Sequence, residues 1–281
     1  MEGYFSRVYH GVTRPLGKAV GDLYPDLPYA LLRRLFKQRD VFVNGARAGE
    51  AQPLTDGDTV HLFLTPSYIR IRVVYRDDDL LVLYKPKGIA SDGQYSFEGL
   101  SRFVFGDNLR LLHRLDTNTD GLLMFALNDV AYEILYRYNS EHLITKYYVA
   151  EVYGQVKREV VLDGYLAKDV EAGRVRIYHE PHEGAQYVKC KVTPVDMYEA
   201  YTVVHVKLRG GKTHQIRAQL ADWGHFILGD TKYGDDRINR RFGKEKQQLT
   251  AFKLVFPLLD DLPALNGKVI TLVSNRGASE T

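Results

Sequence analysis

The sequence contains one cysteine, Cys190, among its 281 residues, and it has no long apolar run. A single thiol cannot form an internal disulfide, and it cannot supply a cage of thiolate metal ligands. No uninterrupted apolar stretch approaches the roughly 18 residues of a membrane-spanning helix. Glu2, Arg7, His10 and Arg14 interrupt the apolar runs near the first residue, unlike the pattern of a secretory signal peptide. We therefore expect a cytoplasmic protein that is not associated with a membrane.

A strong charge of either sign is also missing. The formal net charge is +3 at pH 7, which permits an RNA or DNA partner without requiring one. Hydrophobic residues make up 45% of the chain and charged residues 26%, as in ordinary globular proteins. The length suffices for one large domain with a smaller one beside it. These values exclude a disordered or fibrous protein and leave the function open.

A short basic helix followed by a hairpin is predicted near the N-terminus. Apolar Leu31, Leu32, Leu35 and Phe36 have helical spacing, and the hairpin reads V-F-V-N-G, then T-D-G-D, then T-V-H-L-F-L. Five cations accompany these elements: Arg33, Arg34, Lys37, Arg39 and Arg47. They could form an RNA-binding surface, or they could only be the solvated face of a helix.

This arrangement resembles the small RNA-binding domain of ribosomal protein S-four, whose pattern includes a basic helix, V-x-V-N-G and a later G-D. The resemblance implies a domain over residues 1–65 that binds RNA through the five cations. Pro66 and Ser67 lie in a short linker that we predict from Thr65 to Tyr68. Residues 66–281 are then expected to form the second domain.

The fold class predicted for the chain is α+β. Strands are indicated at five places: Ile71–Tyr75, Leu80–Tyr84, Leu122–Leu127, Tyr147–Tyr153 and Tyr201–Leu208. Helical patterns occur around Val130–Tyr138 and Thr213–Trp223, the second with Thr213 as its capping residue. Strands and helices do not alternate regularly, which argues against a doubly wound parallel sheet.

Two motifs place polar residues at the ends of apolar strands. In L-L-V-L-Y-K-P-K-G, Lys85 follows a strand, and proline and Gly88 turn the chain. In L-L-H-R-L-D-T-N-T-D-G-L-L, Asp116 stands between an apolar run and a Thr-Asn-Thr turn. A carboxylate there is costly to bury unless it has a partner or a task. Taken alone, each motif also fits a structural role, as a corner or as a turn cap.

A third motif, K-Y-Y-V-A-E-V-Y-G, alternates so that Lys146, Tyr148, Ala150 and Gly154 share one face. The small residues leave room for something flat against the Tyr148 ring, although an aromatic residue packed in a core fits equally well.

A fourth motif, G-G-K-T-H-Q-I-R, ends like a nucleotide-binding loop. The first glycine of such a loop would have to occupy position 206, which is Val206, so the match fails. The helix that follows is expected to bury Ile216, Leu220 and Trp223 and to hold His214 and Arg217 together on a flank.

The order of the four motifs resembles the RluA-type family of RNA pseudouridine synthases. The matching patterns are K-P-x-G, H-R-L-D-x-x-T-x-G-L-L, K-x-Y-x-A-x-V-x-G and G-x-T-H-Q-I-R-x-x-L-x-x-x-G-H-x-I-x-G-D-x-x-Y-G. The resemblance runs from about Ile71 to the C-terminus and is thin between about Val156 and Tyr198. It implies a mixed, largely antiparallel sheet with a central cleft and flanking helices.

The same resemblance implies an isomerase that converts uridine in RNA to pseudouridine. Asp116 matches the family's catalytic aspartate, Tyr148 its active-site tyrosine and Arg217 its active-site basic residue. Further RNA contacts are expected from Lys85, His113, Arg114, Lys212 and His214. Whether Asp116 acts as nucleophile or base is left open. Arg217 is expected to orient Asp116, and the target nucleotide should flip out of its stack.

The reaction as implied needs no cofactor and no metal. The short sequence H-E-P-H-E-G, with His179 and His182, lacks metal-ligand spacing and a third ligand, so no metal site is predicted there. The expected partner is a structured RNA, with large-subunit ribosomal RNA favoured by the S-four-type domain and transfer RNA as the alternative. We expect the protein to act as a monomer.

One position departs from the family pattern, which usually has T-S-G where this chain has Thr119-Asp120-Gly121. Asp120 is expected to point to solvent and to leave the reaction unchanged. Two rival interpretations remain: a glycosidase that pairs Asp116 with Asp120 or Asp230, and an RNA-binding protein without catalysis.

Overall fold

The computed structural model describes residues 3–25, 27, 29–64, 71–93, 96–169 and 172–272. The predicted linker Thr65–Tyr68 lies outside these residues. The chain forms two compact units: Met1–Arg72 with Ala90–Leu111, and Val73–Ile89 with Leu112–Thr281. No helix in the described part is long and apolar enough to cross a membrane.

The described residues contain seventeen strands and six α-helices. The strands are β1 Gly3–Val8, β2 Arg14–Pro15, β3 Val41–Val43, β4 Ala46–Arg47, β5 Pro53–Leu54, β6 Thr59–Leu64, β7 Arg72–Arg76, β8 Leu80–Lys85, β9 Arg110–Leu111, β10 Asp120–Ala126, β11 Thr145–Tyr153, β12 Val160–Asp169, β13 Arg174–Tyr178, β14 Gln186–Met197, β15 Tyr201–Arg209, β16 Leu249–Val255 and β17 Val269–Thr271. The helices are α1 Leu16–Leu23, α2 Tyr29–Gln38, α3 Phe97–Phe105, α4 Asp129–Ser140, α5 Gln215–Asp222 and α6 Asp236–Arg241, with a short 3-10 helix at Pro263–Leu265.

The first unit has a four-stranded sheet in the order β1-β6-β3-β4. Asn44 and Gly45, with φ of 50° and 83°, form the two-residue turn between β3 and β4. Helix α2 buries Leu31, Leu32 and Leu35 in the core of this unit. The five predicted RNA-binding cations are all exposed: Arg33, Arg34, Lys37, Arg39 and Arg47.

Helix α3 belongs to the same unit although it lies far along the chain. Its Leu100 and Phe103 pack against the core formed by the N-terminal helices and strands, and the Phe103 and Phe5 rings are 4.3 Å apart. Ser96 caps the helix by accepting the Gly99 N–H. An N-terminal core therefore extends to residues that the sequence alone placed elsewhere.

The second unit is built on a mixed, largely antiparallel sheet with the order β13-β12-β14-β15-β11-β16-β10-β8-β7, and β17 pairs with β16. Strands β10 and β16 are parallel. Residues Leu80–Leu83 of β8 and Leu122–Ala126 of β10 are completely buried. Their continuous apolar sequences are what strands buried on both faces require.

Helices α4 and α5 pack on different parts of this sheet. Ala131 and Leu135 of α4 join the core of β8 and β10, and Asn128 caps α4 by accepting the Ala131 N–H. Ala218 of α5 packs against β12, β13 and β14 through Leu166 and Val188, among others. This second contact places the first turn of α5 beside the segment that precedes β10.

The five strands and the two helices with predicted bounds are present, and no end is shifted by more than two residues. One expectation fails, and some strands were missed. Thr213 does not cap α5, because the residue before the helix is His214, whose side chain makes no capping hydrogen bond. Strands β12, β13 and β14 were not predicted at all.

Candidate active site

Asp116 lies just before β10, and a tight turn follows it. The Thr119 N–H donates to the Asp116 carbonyl at 2.9 Å, which closes the predicted turn. Gly121 has φ of 119°, and a Cβ there would lie 2.1 Å from the carbonyl oxygen of Ala251 on β16. Only glycine permits this approach of the two strands. The close pairing fixes where β10 begins and hence where Asp116 stands.

Arg217 joins two carboxylates. Its Nη1 donates to Asp116 Oδ2 at 2.9 Å, while Nε and Nη2 donate to the two oxygens of Asp230 at 2.6 and 2.9 Å. Asp230 is buried, and Arg217 is only 8% exposed. The predicted pairing of Arg217 with Asp116 is therefore present, although Arg217 is buried rather than on a helix flank.

Asp230 is held in its charged form by this pairing. Burial alone would raise the pKa of Asp230, but the hydrogen bonds and charge of Arg217, with the N–H groups of Lys232 and Tyr233, hold it below the usual aspartate value. The bidentate contact uses two of the three guanidinium nitrogens and leaves Nη1 aimed at Asp116. Asp230 thus orients the residue that orients Asp116.

His214 flanks the same carboxylate. Its Nε2 lies 4.0 Å from Asp116 Oδ1, and its Nδ1 lies 3.0 Å from the Tyr233 hydroxyl, which accepts the Val175 N–H. Burial lowers the pKa of His214, Asp116 opposes the shift and Arg217 adds to it. The backbone of His214 is left-handed, with φ of 56°. Such strain in a non-glycine residue is typical of functional sites.

Tyr148 lies on β11 between Val206 of β15 and Ala251 of β16, where the pairing with β16 is bulged. The side chain is buried, and burial together with the charge of Asp116 raises the pKa of its hydroxyl. The hydroxyl makes no hydrogen bond with any of the described residues. Ala150, on the same face of the strand, is buried as well.

Lys85 is completely buried, and its predicted contact with RNA stays a prediction. Its ammonium donates to the carbonyls of Pro86, Ile89 and Thr117 at 3.1, 2.8 and 3.2 Å. The Gly88 N–H donates to the same Thr117 carbonyl at 2.8 Å. The K-P-x-G corner therefore supports the turn that follows Asp116. Burial lowers the pKa of Lys85 to about 8, against the opposing charges of two carboxylates.

Asp120 does not point to solvent, contrary to the expectation from its sequence position. Its carboxylate accepts hydrogen bonds from the Tyr84 and Thr250 hydroxyls, and the Lys87 ammonium is 3.9 Å away. These partners lie on or next to the strands β8 and β16. Asp120 therefore connects three chain segments through its hydrogen bonds, and the nearby Lys87 ammonium offsets its charge.

The remaining predicted RNA contacts differ in accessibility. Arg114 and Lys212 are exposed, and His214 and His113 are partly buried. The Met124 N–H donates to His113 Nε2 at 3.2 Å, and burial and the charge of Lys146 lower the pKa of His113 well below its usual value. His113 is therefore a neutral ring that binds the backbone of β10, whereas the exposed pair can reach a phosphate.

Sequence reasoning assigned no role to Tyr233 or Lys146, although both belong to quoted motifs. Lys146 is buried and donates to Asn139 Oδ1 at 2.6 Å and to the Gly210 carbonyl at 3.2 Å.

Within the described part of the chain, no group of three or more acidic, histidine or cysteine side chains could hold a metal ion. His179 instead pairs with Asp222 at 3.2 Å.

Comparison with known proteins defines the class to which this fold and site belong. Residues 79–222 match the family described as RNA pseudouridylate synthase. The chain belongs to this family, whose reaction is an isomerisation.

Relatives of the chain are named for two kinds of RNA. The chain is 30% identical over 243 residues to the ribosomal large subunit pseudouridine synthase C of Vibrio vulnificus, covering 76% of this chain and 74% of the relative. It is 29% identical over 196 residues to the tRNA pseudouridine synthase C of Vibrio parahaemolyticus, covering 63% and 79%. The solved structure of human RNA pseudouridylate synthase domain containing 1 is similar with a TM-score of 0.57 and 26% identity, covering 73% of this chain and 91% of that one.

Proposed function

We propose that this chain converts specific uridines of a structured RNA to pseudouridine, with Asp116 as the catalytic carboxylate. The observation that carries the proposal is the partly exposed Asp116, held at 2.9 Å by a guanidinium that buried Asp230 itself fixes. A solvated turn or cap residue would need neither an ion-pair partner nor a second carboxylate that holds that partner in place. The arrangement has the form of a preorganised site.

The chemistry of the conversion calls for such a carboxylate. The bond between N1 of the base and C1′ of the sugar breaks, the base rotates, and C5 bonds to C1′. The C5 proton then leaves and N1 gains a proton, so the product is an isomer of uridine. Positive character develops at C1′ as the first bond breaks, and a carboxylate can stabilise it or attack it. Arg217 keeps Asp116 aimed, so the reacting groups meet with little reorganisation.

Tyr148 and His214 are proposed to line the position of the flipped base. The Tyr148 hydroxyl has a raised pKa and therefore stays protonated at neutral pH, so it can donate to the substrate. His214, with a lowered pKa, is neutral there and adds no charge that would compete with Arg217 for Asp116. Exposed Lys212 and Arg114 would contact the phosphates on either side.

Large-subunit ribosomal RNA is the proposed substrate, and the residues at the N-terminus are proposed to form an S-four-type RNA-binding domain. The exposed cations on and after α2, with the N-G turn between β3 and β4, support this assignment. The relative from Vibrio vulnificus, which is named for the ribosomal large subunit, supports the proposed substrate. Transfer RNA is the second candidate, because the relative from Vibrio parahaemolyticus is named for it.

Mapping pseudouridines in ribosomal and transfer RNA from cells with and without this gene tests the proposal. We expect one or more sites in large-subunit ribosomal RNA to disappear and to return only when the wild-type gene is restored. Loss confined to transfer RNA would favour the second candidate. An unchanged map would contradict the proposal, and release of free base or sugar by the purified protein would favour the glycosidase.

A further inference from the structure

A basic groove lies on the second unit next to the candidate site. Its cavity has a volume of about 440 Å³ and is lined by parts of β12, β14 and β15 and by the loop before α5. Five of its lining side chains are cations: Lys189, Lys191, Lys207, Arg209 and Lys212. None of the described lining residues is acidic. We call this cavity the basic groove.

The alternation of β14 puts its aromatic and charged side chains together on one face of the sheet. Tyr187, Lys189 and Lys191 stand on the exposed face, whereas Val188 and Cys190 are buried on the opposite face. The Tyr187 side chain is 56% exposed, which is high for an aromatic ring of this size. A flat apolar group with an anionic end fits such a lining better than an apolar or a cationic ligand does.

The charges of the groove are only partly compensated within the protein. Lys191 on β14 stands directly opposite Lys207 on β15, a pairing of like charges that is unfavourable on its own. Lys191 pairs with Glu159 at 2.6 Å, and Asp163 accepts the Tyr187 hydroxyl at 2.7 Å. These two acids of β12 and the segment before it are thus engaged with Lys191 and Tyr187, and Asp163 stands opposite Lys189 in the strand register.

Three further cations of the groove have no ion-pair partner among the described residues. Lys189, Arg209 and Lys212 are exposed and form no ion pair with any residue that the structure describes. Three unpaired cations around one cavity attract an anion, and phosphates of a flexible strand satisfy them without rearrangement of the protein. Charge complementarity therefore selects a polyanion as the occupant.

The loop before α5 connects the basic groove to Asp116. Gly211, Lys212 and Gln215 line the groove, while His214 and Arg217 of the same loop and helix face the carboxylate. Lys191 and Lys207 lie on the face of the sheet opposite Tyr148, so a strand that delivers a nucleotide to Asp116 would enter the groove by passing over this loop. Both ends of that path lie in the second unit.

We propose that the basic groove binds an unpaired stretch of the substrate RNA next to the target uridine, with phosphates on Lys189, Arg209 and Lys212 and one base against Tyr187. This rests on the proposed function, because the neighbouring nucleotides are those of its substrate. Stacking of a base on an exposed aromatic ring, with cations along the backbone, is how proteins hold single strands without reading their sequence. The groove strengthens RNA binding and orients the strand relative to Asp116, which carries out the reaction.

The test compares full-length variants for binding of a fluorescein-labelled, unpaired uridine-containing RNA of about twelve nucleotides across a salt series. The double variant K189A/R209A should bind about tenfold more weakly at about 0.1 M salt, and its slope of log affinity against log salt should be shallower by about 1.4. The matched control R76A/K268A removes two cations near the opposite edge of the sheet and should bind like wild type. Tyr187→Ala should lose about tenfold, whereas Tyr187→Phe should keep most of the affinity.

Superimposable RNA-binding curves for K189A/R209A and wild type would overturn the proposal, as would an equal loss of affinity in the control variant. Binding of polyglutamate with the same affinity and the same loss in the variants would also overturn it, since the surface would then serve acidic proteins. The binding arm needs no turnover. Variants that lose RNA binding while the wild-type protein modifies no RNA would therefore support the groove and contradict only the proposed reaction.

Discussion

At the scale of single residues, the candidate site depends on one guanidinium that serves two carboxylates. Arg217 gives Nε and Nη2 to Asp230 and Nη1 to Asp116. A lysine has one charged nitrogen and could not hold both acids in this geometry. The structural and the chemical roles of Arg217 are therefore combined in one side chain, and variants must separate them.

Asp116→Asn should abolish turnover and leave folding and RNA binding nearly intact. The amide has the shape of the carboxylate, but it cannot stabilise or attack a developing cation as an anion does. We expect a loss of at least roughly 10³-fold, equivalent to about 4 kcal/mol of barrier. Release of tritium from uridine labelled at C5 measures it. Asp261→Asn, at an exposed aspartate paired with Arg137, is the control. Activity within tenfold of wild type would remove Asp116 from the mechanism.

Arg217→Met should lower both stability and turnover. Asp230 would be left charged and buried without its partner, which typically destabilises a protein by about 3–5 kcal/mol. Asp116 would lose its orienting donor, for which we expect a loss of at least about a hundredfold in kcat. The double variant R217M/D230N should regain much of the stability, as urea unfolding would measure. Its turnover should stay low; recovery of both together would leave Arg217 a structural residue only.

Lys146→Met should change how stability depends on pH. Burial lowers the pKa of Lys146 to about 8, from the ordinary lysine value of 10.5. Between these values the unfolded chain binds a proton that the folded chain does not, so this group makes stability rise with pH.

From about pH 7.5 to about pH 9.5, wild type should therefore gain about 2 kcal/mol more in unfolding free energy than Lys146→Met. Buried Lys85 contributes in the same direction in both proteins, so it cancels in the comparison. Lys157→Met, at an exposed lysine, should behave like wild type. Equal slopes for wild type and Lys146→Met would show that Lys146 keeps its proton when folded.

At the scale of elements, the parallel contact between β10 and β16 sets the geometry around Asp116. Gly121 is the point of closest approach, and Asp120 beside it binds the hydroxyls of Tyr84 and Thr250. A strand held from both sides at its first residue cannot shift its register. Because the turn that carries Asp116 leads directly into β10, its position is held as well.

Gly121→Ala should disrupt this contact. The added methyl group would meet the Ala251 carbonyl at 2.1 Å, and φ of 119° is unfavourable for alanine. We expect a destabilisation of at least about 3 kcal/mol, with loss of turnover. Gly184→Ala, also at positive φ but in open space, isolates the backbone effect and should cost about 1 kcal/mol. Thermal unfolding of the two variants gives the comparison, and equal shifts would contradict the steric argument.

The sequence predicted the elements that have strong local signals. Strands β8 and β10 are continuous apolar runs, and α2 and α4 have helical spacing, so each can be predicted from its own sequence. Strands β12 and β13 have charged and partly exposed sequences, and their pairing depends on partners elsewhere in the sheet. The motifs predicted Asp116, Tyr148 and Arg217 as the site residues, and the structure brings Asp116 and Arg217 into contact. They could not reveal that Lys85 is buried or that Asp120 has hydroxyl partners, because both facts depend on segments distant in sequence.

At the scale of the whole molecule, the N-terminal unit does not end where its sequence pattern ends. Helix α3 supplies Leu100 and Phe103 to its core. A truncated protein that began near Pro66 would leave these side chains without their partners, so deletion would test stability as much as RNA binding. Substitution of surface charges in the full chain is the cleaner experiment.

The double variant R33E/R34E should bind structured ribosomal RNA more weakly, with a shallower dependence of affinity on salt. Each phosphate contact that is lost reduces the slope of log affinity against log salt by about 0.9 on a duplex. Because both side chains are exposed, thermal stability should change by less than about 0.5 kcal/mol. Turnover on a short RNA that cannot span both units should remain. Parallel salt lines of equal affinity would leave α2 with a solvated face and no role in recognition.

The buried state of Cys190 has a practical consequence for spectroscopy. It is the only cysteine of the chain, and burial raises the pKa of its thiol to about 12. Maleimide and iodoacetamide dyes react with thiolates, so the wild-type protein should remain unlabelled at neutral pH. A cysteine introduced at an exposed position such as Lys157 would then be the single reactive handle. Fluorophores could be attached at chosen sites to watch an RNA arrive, without first removing the native thiol.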